Sequence, residues 1–368
     1  MKRFFESIDT VFLRLEKKWG LVWLSIVVGL LVLGFAALFT TPRWELFYHG
    51  KGFARLSMAP FDLSVESSLR YRILAPLLGY VLFLKGSLFK YLMLAFLAAF
   101  YSLLYLFHRK KGFSPTNSLG IGILLSLSTL SFYQLYFPGY NDPVSYVLIL
   151  ILLFYREHRA IVITCLALLL FNHDNTIFLF PFFFLFLIGT EYKFSSALRT
   201  FLLFIPAILS YASYRYIISS ISEIDFDTAY YFDPENLRWT RDHVSEHLAE
   251  GIFQSFRLGW IFPILAILIY VTKKNYKNVL MFLVGFVFVT TQFIIAYDIS
   301  RLMGLAFPLI ILSAWTVRDR FGPKVFNNLI WTVVFINLFI PSLCIGALEP
   351  IPYPPFWWPA LKAMMFAN

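Results

Sequence analysis

Charge is what this sequence has least of. Charged residues make up 14% of its 368 positions, against about 25% in soluble domains, too few to cover a water-soluble chain of this length. Cysteine is nearly missing: Cys165 and Cys344 stand far apart, each inside an apolar run, which excludes a disulfide framework and a thiolate metal site. No repeat of fixed period and no low-complexity tract occurs. A cleavable signal peptide is not expected, because the first apolar run, Gly20 to Phe39, is too long for an h-region and more runs follow.

What the sequence does have is apolar. Hydrophobic residues reach 59% and aromatics 20%, with a mean hydropathy of +0.72. This is the composition of an all-α polytopic membrane protein, read as one transmembrane domain over residues 1–368. A helix needs about 20 apolar residues to cross a bilayer. About nine full spans are expected, near 20–39, 88–107, 118–137, 143–155, 200–218, 256–272, 279–296, 302–317 and 328–346. Residues 73–84 are apolar but cover only ~18 Å as a helix, and can be a surface helix or the start of a kinked one. Residues 160–188 read as paired or re-entrant short helices meeting at a polar tip, Asn172-His173-Asp174-Asn175.

The net charge of +10 does not indicate nucleic acid as a partner, because the basic residues sit at the ends of apolar runs rather than in patches with exposed aromatics. The positive-inside rule explains them better. With the N-terminus cytoplasmic and sides alternating, Arg109, Lys110, Lys111, Arg156, Arg159, Lys273, Lys274, Arg318 and Arg320 fall on one side with few acids. The 160–188 hairpin must then enter and leave on that side. Every polar cluster that interrupts the apolar pattern lands on the other, outer face. Ionisable residues at membrane depth are expensive and mark function by default, so these clusters suggest one site.

Each cluster has two readings. In the first outer loop, residues 40–72, Arg70 and Arg72 suit a phosphate, since Arg offers fixed bidentate donors, or serve as snorkelling anchors. Asp142, in Gly139-Tyr140-Asn141-Asp142-Pro143, is an acid/base candidate or a helix cap. His173 and Asp174 form an acid/base pair or a plain turn. Asp298 and Arg301 pair on one helix face or hold an anionic headgroup. The acidic outer loop 219–255 contains Glu223-Ile-Asp225-Phe-Asp227, whose alternating carboxylates suit a divalent cation. It also contains His243-Val-Ser-Glu246-His247, a formal match to H-x-x-E-H zinc peptidases that lacks their soluble catalytic domain. An amphipathic helix is the expected content of that stretch.

Taken in order, the first loop, the Arg70-Tyr71-Arg72-Ile73-Leu74-Ala75-Pro76-Leu77-Leu78 run, the Asp142-Pro143 helix mouth, the polar run 172–181 and the Asp298–Arg301 pair resemble the bacterial GT-C superfamily of multi-spanning glycosyltransferases and related membrane proteins of surface-glycopolymer formation. The resemblance spans about residues 20 to 317. It implies a GT-C-like fold in a bacterial inner membrane and transfer of a sugar from a polyprenyl-phosphate donor to a glycan or lipid acceptor at the outer face. In the family the base is an acid of the first outer loop. Here Tyr48-His49-Gly50 carries His49 at that place, and the nearest acids are Glu45 and Asp62. Asp174-Asn175-Thr176 stands where many relatives have Arg-Glu-Thr.

The expected catalytic candidates are therefore Glu45, His49, Asp142, His173 and Asp174. Arg70, Arg72, Asp298 and Arg301 are expected to hold the donor phosphate. The partners implied are membrane lipid, the lipid-linked sugar and its acceptor, with a carboxylate-held divalent cation as the one candidate cofactor. Two alternatives stand beside this enzyme: a transporter or flippase of lipid-linked sugars, and a catalytically inactive scaffold of a glycan-assembly complex.

Overall fold

The computed structural model describes residues 2–65, 67–189, 193–222, 233–346 and 350–355. These fold as an all-α bundle with a single two-stranded ladder among them. Six helical stretches are long and apolar enough to cross a bilayer, or seven when one bent pair counts as a span. The chain is a multi-pass membrane protein.

An amphipathic helix α1 (Lys2–Trp19) leads into the apolar α2 (Leu21–Leu38). The first loop then folds into α3 (His49–Met58), the single turn α4 (Ser67–Arg70) and α5 (Leu74–Val81). The 73–84 segment is thus a surface helix rather than the start of a span. It packs on α3, leaves Tyr80, Val81, Leu82 and Phe83 exposed, and is cut off by the left-handed backbone of Phe83.

Next come α6 (Phe89–Lys110), α7 (Pro115–Ser126) and α8 (Thr129–Tyr136). The last two form the bent pair, turning by 50° where an unbroken helix 118–137 was expected. Ser128 makes the bend by capping α8, its hydroxyl accepting from the Leu130 N–H while it donates to the Leu125 carbonyl.

α9 (Asp142–Phe154) and α10 (Arg159–Asn172) follow. A 3₁₀ turn, Asp174–Leu179, then leads into α11 (Phe180–Ile188). The 160–188 hairpin is present as expected, and it returns to its starting end, where Arg156 lies over the Phe186 ring. α12 (Phe194–Ile221) is followed by α13 (Pro234–Phe256), the helix expected within 219–255. The Glu223–Asp225–Asp227 alternation falls outside the described residues. After a break at Arg257 come α14 (Ile261–Thr272), α15 (Tyr276–Thr290), the short α16 (Ile299–Met303) and α17 (Phe307–Phe339).

Of the nine expected spans, 143–155 is short: α9 has 13 residues, so it reaches only ~20 Å. The expected spans 302–317 and 328–346 are both helical and count once among the six because no break separates them. The stretch nevertheless reverses at Gly322, where φ is 80° and ψ 163°, and its two halves run in opposite directions. Its first half follows α6, with Phe307 against Phe100 and Trp315 bonded to His108. Its second half follows α7 back, with Asn117 donating to the Pro323 carbonyl and Ile330 beside Gly120. The expected helix 328–346 stops at Phe339. Beyond Pro341, Leu343–Cys344 pairs antiparallel with Ile351–Pro352.

The most extensive helix pair is α2 on α6, and it depends on Gly29. A Cβ there falls 2.7 Å from the Ala98 carbonyl oxygen and 2.7 Å from the Ser102 nitrogen, the close approach that small residues give membrane helices. Gly29→Val is expected to cost about 1–3 kcal/mol through forced separation, read as a lower melting temperature in detergent. Gly34→Val is the control, since nothing lies within 4 Å of a Cβ at Gly34; equal melting of the two variants would count against this packing.

The bundle has two chemically different ends. At the basic end, Arg109 grips Glu16 through two bonds of 2.5 and 2.7 Å, Lys111 lies over Trp315, and Arg318 donates to the Gly112 carbonyl. At the opposite end the N-terminus of α9, the C-terminus of α10 and α16 meet.

Candidate functional site

Asp142, His173 and Arg301 are 6%, 3% and 7% exposed and touch one another although they are far apart in the chain. α9 begins at Asp142 with Pro143 second, and the cap position falls to Asn141, whose side chain makes no capping bond. The Asp142 side chain points inward, where Arg301 takes both its oxygens, Nε to Oδ2 at 3.0 Å and Nη2 to Oδ1 at 3.1 Å. The Gln134 amide donates to Oδ2 at 2.8 Å. Capping, one of the two sequence readings of Asp142, is therefore replaced by a buried bidentate ion pair, the geometry in which Arg–carboxylate contacts are strongest.

The guanidinium extends the network in two directions. Its Nη1 meets Asp298 Oδ2 at 3.2 Å, so the expected i,i+3 pair forms as well. Its Nη2 lies 3.1 Å from His173 Nε2, and Tyr133 and Tyr140 offer their ring faces at 5.3 and 4.7 Å. His173 Nδ1 stands 3.5 Å from Asp174 Oδ1, and Arg72 Nε meets that same oxygen at 3.0 Å. Arg215 on α12 approaches the other Asp174 oxygen at 3.9 Å while lying over the Tyr71 ring. A continuous chain of polar contacts thus runs Asp298, Arg301, Asp142, His173, Asp174, Arg72.

The α9–α10 joint is pinned by amides. Asn172 donates to the Asn141 carbonyl at 2.9 Å and to Ser145 Oγ at 2.8 Å, and Asn141 donates back to the Asn172 carbonyl. His173 is both a turn residue and a network member, since its Nδ1 accepts the Asn175 N–H. The C-terminal segment closes over Asp298. A Cβ at Gly346 would fall 2.4 Å from Asp298 Oδ1, so only glycine lets the backbone approach there. Asp298 and Asp174 are the more open carboxylates of the network, 26% and 28% exposed against 9% for Asp142. The largely dry surroundings of Asp298 push its pKa up, against the opposing pull of Arg301 and His49.

Not every expected residue arrives. Arg70 is spent on the fold, donating to the Val65 carbonyl at 2.7 Å and to Ser222. Arg70 and Arg72 do not form a two-pronged clamp, because residues two apart at a helix end point to different sides. Glu45 is exposed and stands outside the network. His49 lies at its margin, edge-on to Tyr140 at 5.7 Å. Asp62 is tied into its own loop by Ser64 and Arg55, and the hydrogen bonds from Ser64 hold its carboxyl below the usual range. On α13, His243 stacks on Trp239, and among the described residues no three His, Cys, Asp or Glu side chains converge on a metal position.

Sequence reasoning missed Gln134, Arg215 and the two tyrosines. Arg215 carried a usable signal, an isolated cation inside the apolar run 200–218. Tyr133 and Tyr140 carried none in a chain with 21 Tyr.

Depth follows from helix length. α9 and α10 join the basic end to the network with 13 and 14 residues, so the network lies no more than ~20 Å from the Arg156–Arg159 turn. A hydrocarbon core is ~30 Å thick. With that turn at one interface, the network sits roughly 10 Å below the other, roofed by α3 and the C-terminal segment. No family model, curated protein or solved structure matches the chain.

Proposed function

We propose that this protein is a GT-C-like membrane glycosyltransferase. In this reading the N-terminus is cytoplasmic, the polar network opens to the extracytoplasmic face of a bacterial inner membrane, and the donor is a polyprenyl-phosphate-linked sugar. The observation that carries the reading is the continuous buried network itself, in which acids, a histidine and three arginines gather at membrane depth.

Sugar transfer from a lipid phosphate needs a base for the acceptor hydroxyl and cations for the departing phosphate. Asp142 is a poor base because both of its oxygens are held by Arg301; its work is to fix that guanidinium. Asp298 is the better base, being partly exposed, bonded once to Arg301 and raised in basicity. Among the described residues of the network Arg215, 34% exposed, held at 3.9 Å by Asp174 and lying against Tyr211, is the cation best placed to meet the donor phosphate, with Arg72 behind it.

The test is reconstitution of the protein in liposomes with polyprenyl-phosphate hexoses and pentoses, following release of polyprenyl phosphate. Release that is lost in Arg215→Ala supports transfer. A second reading, a transporter of lipid-linked sugars, is favoured by the helix breaks around the network, at Leu127, at Arg257 and in the 3₁₀ turn Thr291–Ile294. It predicts movement of the intact donor between leaflets with no release.

A further inference from the structure

On the other side of α8 from the Asp142–Arg301 network lies a cavity of about 360 Å³. Arg257 and Asn337 line it, 2% and 0% exposed. The Arg257 guanidinium gives Nη1 to the Asn337 carbonyl at 2.8 Å and Nη2 to Ser342 Oγ, with the Phe132 ring 5.1 Å away. Its Nε has no hydrogen-bond partner, and neither has Asn337 Nδ2; the Tyr353 hydroxyl lies against the Cys344 thiol. Among the described residues no carboxylate pairs with Arg257.

The other buried guanidiniums are better supplied: Arg301 is matched by two acids and Arg72 by Asp174, while Arg70 gives its Nε to a backbone carbonyl, the atom that Arg257 leaves unbonded. A guanidinium does not shed its proton at any working pH, so a buried one must be neutralised by an anion. Its backbone is held at φ 51°, a strained conformation for a residue with a Cβ; such strain is characteristic of ligand sites. Two unmet donors, one of them on the cation itself, ask for a group rich in acceptors.

We propose that this cavity binds the phosphate group of an anionic amphiphile, held by Arg257 Nε and Asn337 Nδ2. The walls favour a lipid-borne phosphate: Phe39, Leu338 and Phe339 complete the cavity, and Phe339 is 71% exposed on the apolar flank of the bundle, where an acyl tail can lie. The proposal rests on these observations alone and does not depend on glycosyl transfer.

The experiment is native mass spectrometry of the full chain released from detergent, titrated separately with dioctanoyl phosphatidic acid, inorganic phosphate and uncharged dioctanoylglycerol. Asn337→Asp is the sharpest variant. It keeps the acceptor for the Leu258 N–H and places a carboxylate beside Arg257, which competes with the ligand while leaving the fold intact. A phosphatidic acid adduct weakened at least tenfold in Asn337→Asp and in Arg257→Lys but unchanged in Arg156→Gln, an exposed arginine at the basic end, supports a lipid-phosphate site. Inorganic phosphate binding as tightly as phosphatidic acid, with the same variant losses, supports the site and assigns it to free phosphate. Equal binding of dioctanoylglycerol, undiminished binding in Asn337→Asp, or no adduct with any probe overturns it.

Discussion

Asp298→Asn is expected to slow sugar transfer by about 10²–10⁴-fold, the contribution of a positioned general base, while leaving the protein folded. The change is isosteric, and Arg301 keeps its bidentate hold on Asp142. The pH profile gives a second readout. A base works deprotonated, so transfer falls as pH drops through the Asp298 pKa. Because that pKa is raised, the falling limb lies above the usual carboxylate range. The Asn variant loses this limb along with the rate. A variant that keeps wild-type turnover, or slows without altering the pH profile, removes Asp298 from the base role.

Asp142→Leu is expected to destabilise the protein by about 3–5 kcal/mol, the cost of leaving one member of a buried ion pair without its partner. Arg301 would retain only Asp298 and His173, in a place 7% exposed. The double variant Asp142→Leu/Arg301→Leu should recover much of the loss, since a hydrophobic pair replaces a buried ionic one at little net cost. Denaturant titration of detergent-solubilised protein measures all three. A single variant no less stable than the double would mean that the pair is solvated rather than buried.

Much of this was legible in the sequence, and the reason is the membrane. A bilayer penalises stray charge so strongly that Asp142, His173, Asp174 and Asp298–Arg301 stood out against their apolar neighbours, and the structure gathers them at one end. The hairpin 160–188 was readable for the same reason, its polar tip having no place in hydrocarbon. Pairing was not readable. The partner of Arg301 sits 159 positions away, and the i,i+3 neighbour Asp298 concealed it. Arg70 and Arg72 looked equivalent because spacing does not reveal which guanidinium is taken up by a backbone carbonyl. Arg215 was hidden within a long apolar run whose length alone satisfied the span criterion. The reversal inside Phe307–Phe339 was signalled by Gly322-Pro323, a dipeptide that ends one helix and starts another.

The shortness of α9 and α10 has an electrical consequence. A network ~20 Å from one interface of a ~30 Å core sits about a third of the way into the field that falls across that core. Moving one elementary charge through the whole membrane potential is worth ~2.3 kcal/mol per 100 mV, so a charge created or discharged at Arg301 is coupled by roughly 0.8 kcal/mol, or about fourfold in an equilibrium constant. Any step there that releases an anion toward the near aqueous side would be driven or opposed by the energised state of the membrane.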